Sequence, residues 1–213
     1  MSVATDRESG VLNQIPSLDA GRYTGAMNDQ IGTGIGFAQF ETSIGPCGIA
    51  WGERGIVGVQ LPETGPGATR ARLSRRFPNA REGVPPPEVR QAIDGIVALL
   101  AGERRDLSSV ALDMAQVPDF NRRVYDVTRT VPPGQTITYG EIAARLGEKR
   151  LAQDVGQALG QNPFAIVVPC HRVVAAGGKL GGFSAGRGIQ TKLRMLAIEG
   201  AAAAPPMLPL FDV

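Results

Sequence analysis

The sequence predicts an α+β protein: a small α/β N-terminal domain with an antiparallel sheet, followed by a mainly helical domain that holds a helix-turn-helix and a cysteine-histidine pair. Three observations carry this. Short apolar runs broken by Gly and Pro fill residues 37–61, the pattern of strands joined by tight turns. Apolar positions at three- and four-residue steps follow between 89 and 100, the pattern of a helix with one buried face. Beyond residue 119, short segments with their own helix start and stop signals dominate.

Residues 1–34 mix Ser, Asn, Asp, Gln and Gly with scattered apolar residues and keep neither period, so they are expected to form a disordered or loosely attached tail. Phe37 to Ile44 reads as a strand that Gly45-Pro46 ends, and Cys47 to Trp51 reads as the next. Gly52-Glu53-Arg54-Gly55 then turns the chain into Ile56 to Leu61, giving an antiparallel meander. Ala68 to Phe77 has a helical pattern, basic on one side. Pro86-Pro87 suits a helix start with Glu88 in the first turn, and Val89, Ile93, Ile96, Val97 and Leu100 share one face. A short strand, Val110 to Met114, closes an N-terminal α+β domain over residues 35–115.

The second domain is expected over residues 116–200. Asp119 is placed to cap a helix carrying Phe120, Val124, Tyr125 and Val127, and Val131-Pro132-Pro133-Gly134 ends it. Thr136-Ile137-Thr138 leads into a short helix from Tyr139 with a glycine stop at Gly147, and Ala152 to Leu159 forms another. That spacing has the scale of a DNA-binding helix-turn-helix and also of an ordinary packed helix pair. Phe164 to Val168 is an apolar run suited to a buried strand, which Pro169 stops, placing Cys170 and His171 at its end. A last helix, Gln190 to Glu199, ends at Gly200, and residues 201–213 form a tail.

Composition bounds the function more loosely. With 22 Lys and Arg against 20 Asp and Glu, the formal charge of +2 permits a local nucleic-acid patch without arguing for one. No stretch approaches the roughly 20 apolar residues of a spanning helix, and Met1 to Glu8 lacks a secretory pattern, so the expected location is the cytoplasm. There Cys47 and Cys170 are expected as free thiols, Cys47 as a buried structural one. One histidine and two distant cysteines make no recognisable zinc set, the acids show no calcium-loop spacing, and no metal is expected.

The only histidine, His171, adjoins Cys170. An ordinary thiol, with a pKa near ~8.5, is about 3% thiolate at pH 7, so base activation gains at most roughly thirtyfold, or about 2 kcal/mol. A poor leaving group also needs hydrogen-bond donors aimed at the developing charge, each worth ~3 kcal/mol. Tyr139 and Ser184 are candidates by type. The competing reading is a buried thiol beside a surface imidazole, with the glycine-dense Gly177 to Ser184 as a mere flexible turn.

Taken together, Asn162-Pro163, the apolar run, Pro169-Cys170-His171-Arg172-Val173-Val174, Gly181-Gly182-Phe183-Ser184 and Leu196-Ala197-Ile198-Glu199-Gly200 resemble the O6-alkylguanine-DNA alkyltransferases over residues 117–200. The first half resembles the family's variable N-terminal domain less sharply. The resemblance implies direct-reversal repair of double-stranded DNA: one single-turnover transfer of an alkyl group from guanine O6 to Cys170, without a cofactor, by a monomer. Thymine O4 stays open as a second substrate. It further implies that His171 activates the thiol through a water and Glu199 orients His171. Tyr139 assists nucleotide rotation and donates a proton to the base, Ser184 lies by the alkylated oxygen, and Phe183 packs on the flipped base. Asn162 is the hinge between recognition helix and active site, and Val173 falls among the substrate-contacting positions.

Gln153 departs from the family pattern. Fourteen residues after Tyr139, it stands where the family carries an arginine finger that fills the gap left by the flipped base. It counts as a substrate-side contact that cannot attract phosphate, and Gln161 stands where a basic residue is common. Lys149, Arg150 and Gln161 are the DNA-binding candidates, with Arg122 and Arg123 as further sources of charge. Arg172 is expected as a scaffold residue pointing away from Cys170. Two other readings stay in view: a non-enzymatic lesion sensor, whose known kind lacks the acceptor cysteine, and a cysteine hydrolase. The tail Pro205-Pro206-Met207-Leu208-Pro209-Leu210-Phe211 resembles Leu-x-Leu-Phe peptides that dock on bacterial sliding clamps, or else folds back on its own domain.

Overall fold

A computed structural model describes residues 35–201 apart from Pro66, Glu148 and residues 184–187. The two expected tails, residues 1–34 and 202–213, and the candidate Ser184 lie outside the described residues.

Strands β1 (Gly36–Phe40), β2 (Cys47–Gly52) and β3 (Gly55–Gln60) form the expected antiparallel meander. The sheet has a fourth member that the sequence pattern does not reveal: β4 (Arg81–Glu82) pairs parallel with β1, giving the order β3-β2-β1-β4. The first strand is shorter than expected, because Thr42 accepts from the Ile44 backbone N–H and donates to the Gly45 carbonyl, turning the chain early. Helix α1 (Ala68–Arg76) lays Thr69 and Leu73 on one face of the sheet, where Gly48 leaves room for Leu73. Helix α2 (Pro87–Leu100) starts on its proline as expected and buries Val89, Ala92, Ile93, Ile96, Leu99 and Leu100. The strand expected at Val110 to Met114 is reduced to a single bridge between Leu112 and Ile56. Arg129 reaches across to the carbonyls of Leu107 and Val110, drawing this stretch toward the helical part.

Helix α3 (Asp119–Arg129) has Pro118 at its cap position, so Asp119 sits in the first turn and not at the cap. Its carboxylate there still faces the positive end of the helix. Helix α4 (Tyr139–Arg145) starts on a capping box in which Thr138 and Glu141 satisfy each other's backbone donors. Helix α5 (Ala152–Gly160) follows, and Tyr125 of α3 donates its hydroxyl to the Ala158 carbonyl at 2.9 Å, pinning α5 to α3. Two-residue strands β5 (Ile137–Thr138) and β6 (Val173–Val174) pair in parallel. Helix α6 (Ile189–Ile198) closes with Gly200 at φ 68°, and the Gly200 and Ala201 N–H groups donate to Ala197 and Leu196, a Schellman end.

The run Phe164 to Val168 is not a strand. It is a buried turn, with Val168 N–H donating to the Phe164 carbonyl at 2.8 Å and Ile166 at φ 74°. A β-branched residue in that region is strained and persists only where its surroundings impose it. One continuous core runs from Phe40, Ile49 and Val59 through Ile93 and Ile96 to Val124, Ile142, Val155 and Val168, so sheet and helices share an interior. Among the described residues no helix is long and apolar enough to cross a membrane.

Candidate active site

Cys170 opens a 3-10 turn, Cys170–Arg172, directly after the buried turn. Its N–H donates to the Val168 carbonyl at 2.8 Å, so the residue is presented from a tightly held backbone and is part-exposed while its neighbours Pro169 and His171 are buried. Burial pushes the Cys170 thiol above its ordinary pKa, opposed by a contact with Asn162 and by the Lys192 charge.

His171 has no exposed surface. Its Nε2 lies 2.9 Å from Glu199 Oε1, while its Nδ1 is buried with no protein partner. Glu199 therefore sets which face of the ring is engaged and leaves one nitrogen uncommitted. Burial lowers the pKa of His171, against the pull of Glu199, so the ring is neutral and able to accept a proton. Glu199 receives Arg172 Nε on Oε2 and Nη2 on Oε1, both at 2.8 Å, and the Gly134 N–H at 3.4 Å. Burial pushes this carboxyl up, but the hydrogen bonds from His171 and Arg172 and the Arg172 charge outweigh it and hold the pKa at about 2. Arg172 is indeed a scaffold, with Nη1 on the Val131 carbonyl at 2.6 Å, and it also buttresses the residue that orients His171.

Asn162 ties the buried turn at both ends. Its Oδ1 accepts from Phe164 N–H at 2.9 Å and its Nδ2 donates to the Val168 carbonyl at 2.9 Å. Tyr139, first residue of α4, is half-buried. Burial raises its phenol above the ordinary range, helped by the nearby Cys170. A Cβ on Gly181 would lie 3.0 Å from the Tyr139 hydroxyl, and with φ 65° this position takes glycine for both reasons. Phe183 is part-buried against the core. The structure thus gathers Cys170, His171, Glu199, Asn162 and Tyr139, with Gly181 bringing the Phe183 loop alongside.

Val173 is fully buried within β6, its side chain in the core. Its carbonyl accepts from Lys192 Nζ at 2.6 Å. Lys192 is the residue that sequence reasoning missed. Fully buried, it also donates to the Leu180 carbonyl, joining the strand after Cys170 to the loop leading to Phe183. Burial lowers its pKa to about 8, against the attraction of Cys170. The signal was present: Lys192 precedes Met195, Leu196 and Glu199 by three, four and seven positions, a charge set in the buried face of α6.

The DNA-side candidates stand apart. Gln153 and Gln157 are exposed on α5, and Arg150 is exposed in the turn before it. Gln161 accepts from Asn121 Nδ2 at 3.0 Å, tied back to α3. Lys149 begins the turn Lys149–Leu151, and its side chain lies outside the described part of the structure. Among the described residues no group of three or more His, Cys, Asp or Glu side chains could hold a metal ion.

The chain is similar in sequence and in fold to known proteins. Residues 119–201 match the family described as "6-O-methylguanine DNA methyltransferase, DNA binding domain". A "Methylated-DNA--protein-cysteine methyltransferase" of Methanothermobacter thermautotrophicus is 33% identical over 73% of this chain and 80% of its own length. A "DNA base-flipping protein" of Thermus thermophilus is 38% identical over 73% of this chain and 96% of its own. Among solved structures, Mycobacterium tuberculosis OGT in complex with DNA matches with a TM-score of 0.62 and 35% identity, over 82% of this chain and 98% of that one. Similarity of this extent, running through both the sheet and the helical part, shows that the chain belongs to the methylated-DNA--protein-cysteine methyltransferase family.

Proposed function

We propose that this protein repairs duplex DNA by moving an alkyl group from guanine O6, and from thymine O4 by the same chemistry, onto Cys170 in a single turnover. One observation carries the reading. Cys170, a part-exposed residue, is followed directly by a buried His171 whose Nε2 is committed to Glu199 and whose Nδ1 has no protein partner. A bridging water between that nitrogen and the thiol lets His171 take the proton while Glu199 and Arg172 hold the ring. The sulfur then forms a bond to the alkyl carbon as the carbon–O6 bond breaks, and its electrons pass into the guanine ring, which takes up a proton. Tyr139 supplies that proton, and the thioether left on Cys170 has no route back to the thiol.

An ordinary thiol leaves at most roughly thirtyfold for base activation; because burial raises Cys170 further, the pull of Lys192 and Asn162 becomes part of the activation. The alkyl group is hidden in a stacked duplex, so the base is extruded at a cost of a few kcal/mol, less where the lesion mispairs. In this reading α4 and α5 hold the groove, Gln153 fills the gap behind the flipped base, and Lys149, Arg150 and Gln161 contact the duplex. Asn162 acts as the hinge, Phe183 and the backbone of Val173, whose side chain is in the core, border the base, and Ser184 lies by its oxygen. The protein acts as a monomer in a reducing compartment, the cytoplasm, where its two free thiols persist. Its Met207 to Phe211 tail makes a weak sliding-clamp contact; clamp pulldown that survives deletion of residues 205–213 ends that part.

The test is intact mass after incubation with methylated-guanine duplex. The expected result is one added methyl, mapped to Cys170 and absent in Cys170→Ala. The similarity to a base-flipping protein favours a second reading, a lesion sensor. Tight binding with no adduct on the wild type decides for it.

A further inference from the structure

Helix α1 carries four arginines in nine residues, Arg70, Arg72, Arg75 and Arg76. Thr69 and Leu73 mark its buried face. Arg72, Arg75 and Arg76, three and four positions apart, line one flank of that face, and Arg70 lies on the other. The two flanks are treated differently. Arg70 is bound by Glu82 of β4. On the opposite flank Arg76 donates Nη2 to the Pro163 carbonyl at 3.1 Å, and the Val59 N–H donates to the same oxygen at 2.8 Å. Pro163 comes two residues after Gln161, the C-cap of α5. The arginine flank of α1 therefore adjoins the end of the helix that the alkyl-transfer reading assigns to the DNA groove.

Charge is unbalanced along that flank. Arg72 has one partner, Glu63, at 3.1 Å and remains half-exposed. Arg75 is exposed and has no ion pair among the described residues. Arg76 feels the repulsion: burial lowers its pKa first, and Arg72 lowers it further. Helix α5, in contrast, has no Lys or Arg, and its exposed positions include Gln153, Asp154 and Gln157. Phosphate neutralisation often dominates affinity for DNA, and α5 does not supply it.

We infer that the Arg72–Arg75 flank of α1 is a second DNA-backbone contact, through which the N-terminal domain supplies the phosphate attraction that α5 lacks. The occupant is the phosphate strand of the same duplex, running past the α5–Pro163 junction. This rests on the alkyl-transfer reading only in taking duplex DNA as the substrate.

The test is duplex binding by Arg72→Gln/Arg75→Gln across a salt series. The slope of log K against log salt is expected to flatten by about 1.8, at roughly 0.9 for each phosphate no longer neutralised. Arg72→Glu/Arg75→Glu should weaken binding further. Both variants should take a methyl from free O6-methylguanine base at the wild-type rate, which shows the pocket is intact. An unchanged slope in both variants overturns the inference. A steep salt dependence that disappears in the variants, with no methyl uptake by the wild type, keeps this surface and removes the transfer reading. No duplex binding by the wild type overturns both.

Discussion

Arg172 sends two nitrogens to Glu199 and a third to the Val131 carbonyl, so one planar guanidinium fastens α6 to the end of α3 and steadies the partner of His171. Only arginine has that fork; lysine offers a point charge with rotating donors. Arg172→Lys is expected to lose about 2–3 kcal/mol of stability, because the nearly buried Glu199 keeps a charge but loses its bidentate partner. The rate of methyl uptake by Cys170 should fall with it, since His171 is then held by a looser carboxylate. Thermal unfolding and a mass-resolved time course check both effects, and wild-type behaviour in the two together rules out the buttressing role. At this scale the sequence was informative where a residue type is scarce: His171 beside Cys170 was found from composition alone. Lys192 was not, because a lysine on a helix reads as solvent-facing until the fold shows two carbonyls awaiting it.

Elements were legible where their ends carry chemistry of their own. The proline start of α2 and the glycine end of α6 are local, and each is where the sequence places it. The turn from Phe164 to Val168 was illegible for the opposite reason. Its β-branched apolar run matches a strand, but the Val168 N–H bond to the Phe164 carbonyl and Asn162, bonding to both ends from outside, bend it around Ile166. Pairings of two residues, such as β5 with β6, are too short to show a period. Helix α5 was legible as a helix, and its exposed face, free of Lys and Arg, raises a question about strength of binding. Gln153→Arg adds one cation facing the groove in the proposed mode. Duplex affinity should rise severalfold, with the salt slope steeper by about 0.9. If affinity and repair rate both stay at wild-type values, Gln153 does not face the duplex.

Across the whole molecule, one core joins sheet and helices, and the buried ionisable groups within it make stability depend on pH in a definite direction. Glu199 keeps its proton off down to about 2, whereas an ordinary glutamate takes one near 4.5. Its contribution is therefore complete above pH 4.5 and is lost as pH falls toward 2, on the order of 3 kcal/mol in all. His171 adds to the same limb, since its pKa is lowered from 6.5 and the unfolded chain takes a proton that the folded ring refuses. Lys192 continues the trend at the other end: lowered from 10.5 to about 8, it favours the folded state increasingly between those values. Opposing it, Cys47 is raised from 9.0 to about 12 and Tyr125 from 10.0 to about 12, so the unfolded chain sheds protons there that the folded chain keeps. The melting temperature is thus expected to climb from pH 3 to 7, to hold or rise slightly up to about pH 10 while Lys192 offsets Cys47, and to fall above pH 10, where Cys47 and Tyr125 together outweigh Lys192. Glu199→Gln separates the causes, because it removes the carboxylate from the lowest part of the climb and leaves the Cys47 and Tyr125 limb untouched. Should the variant lose stability between pH 4.5 and 3 as steeply as the wild type, the acid limb belongs to other carboxylates and not to the pair that holds His171.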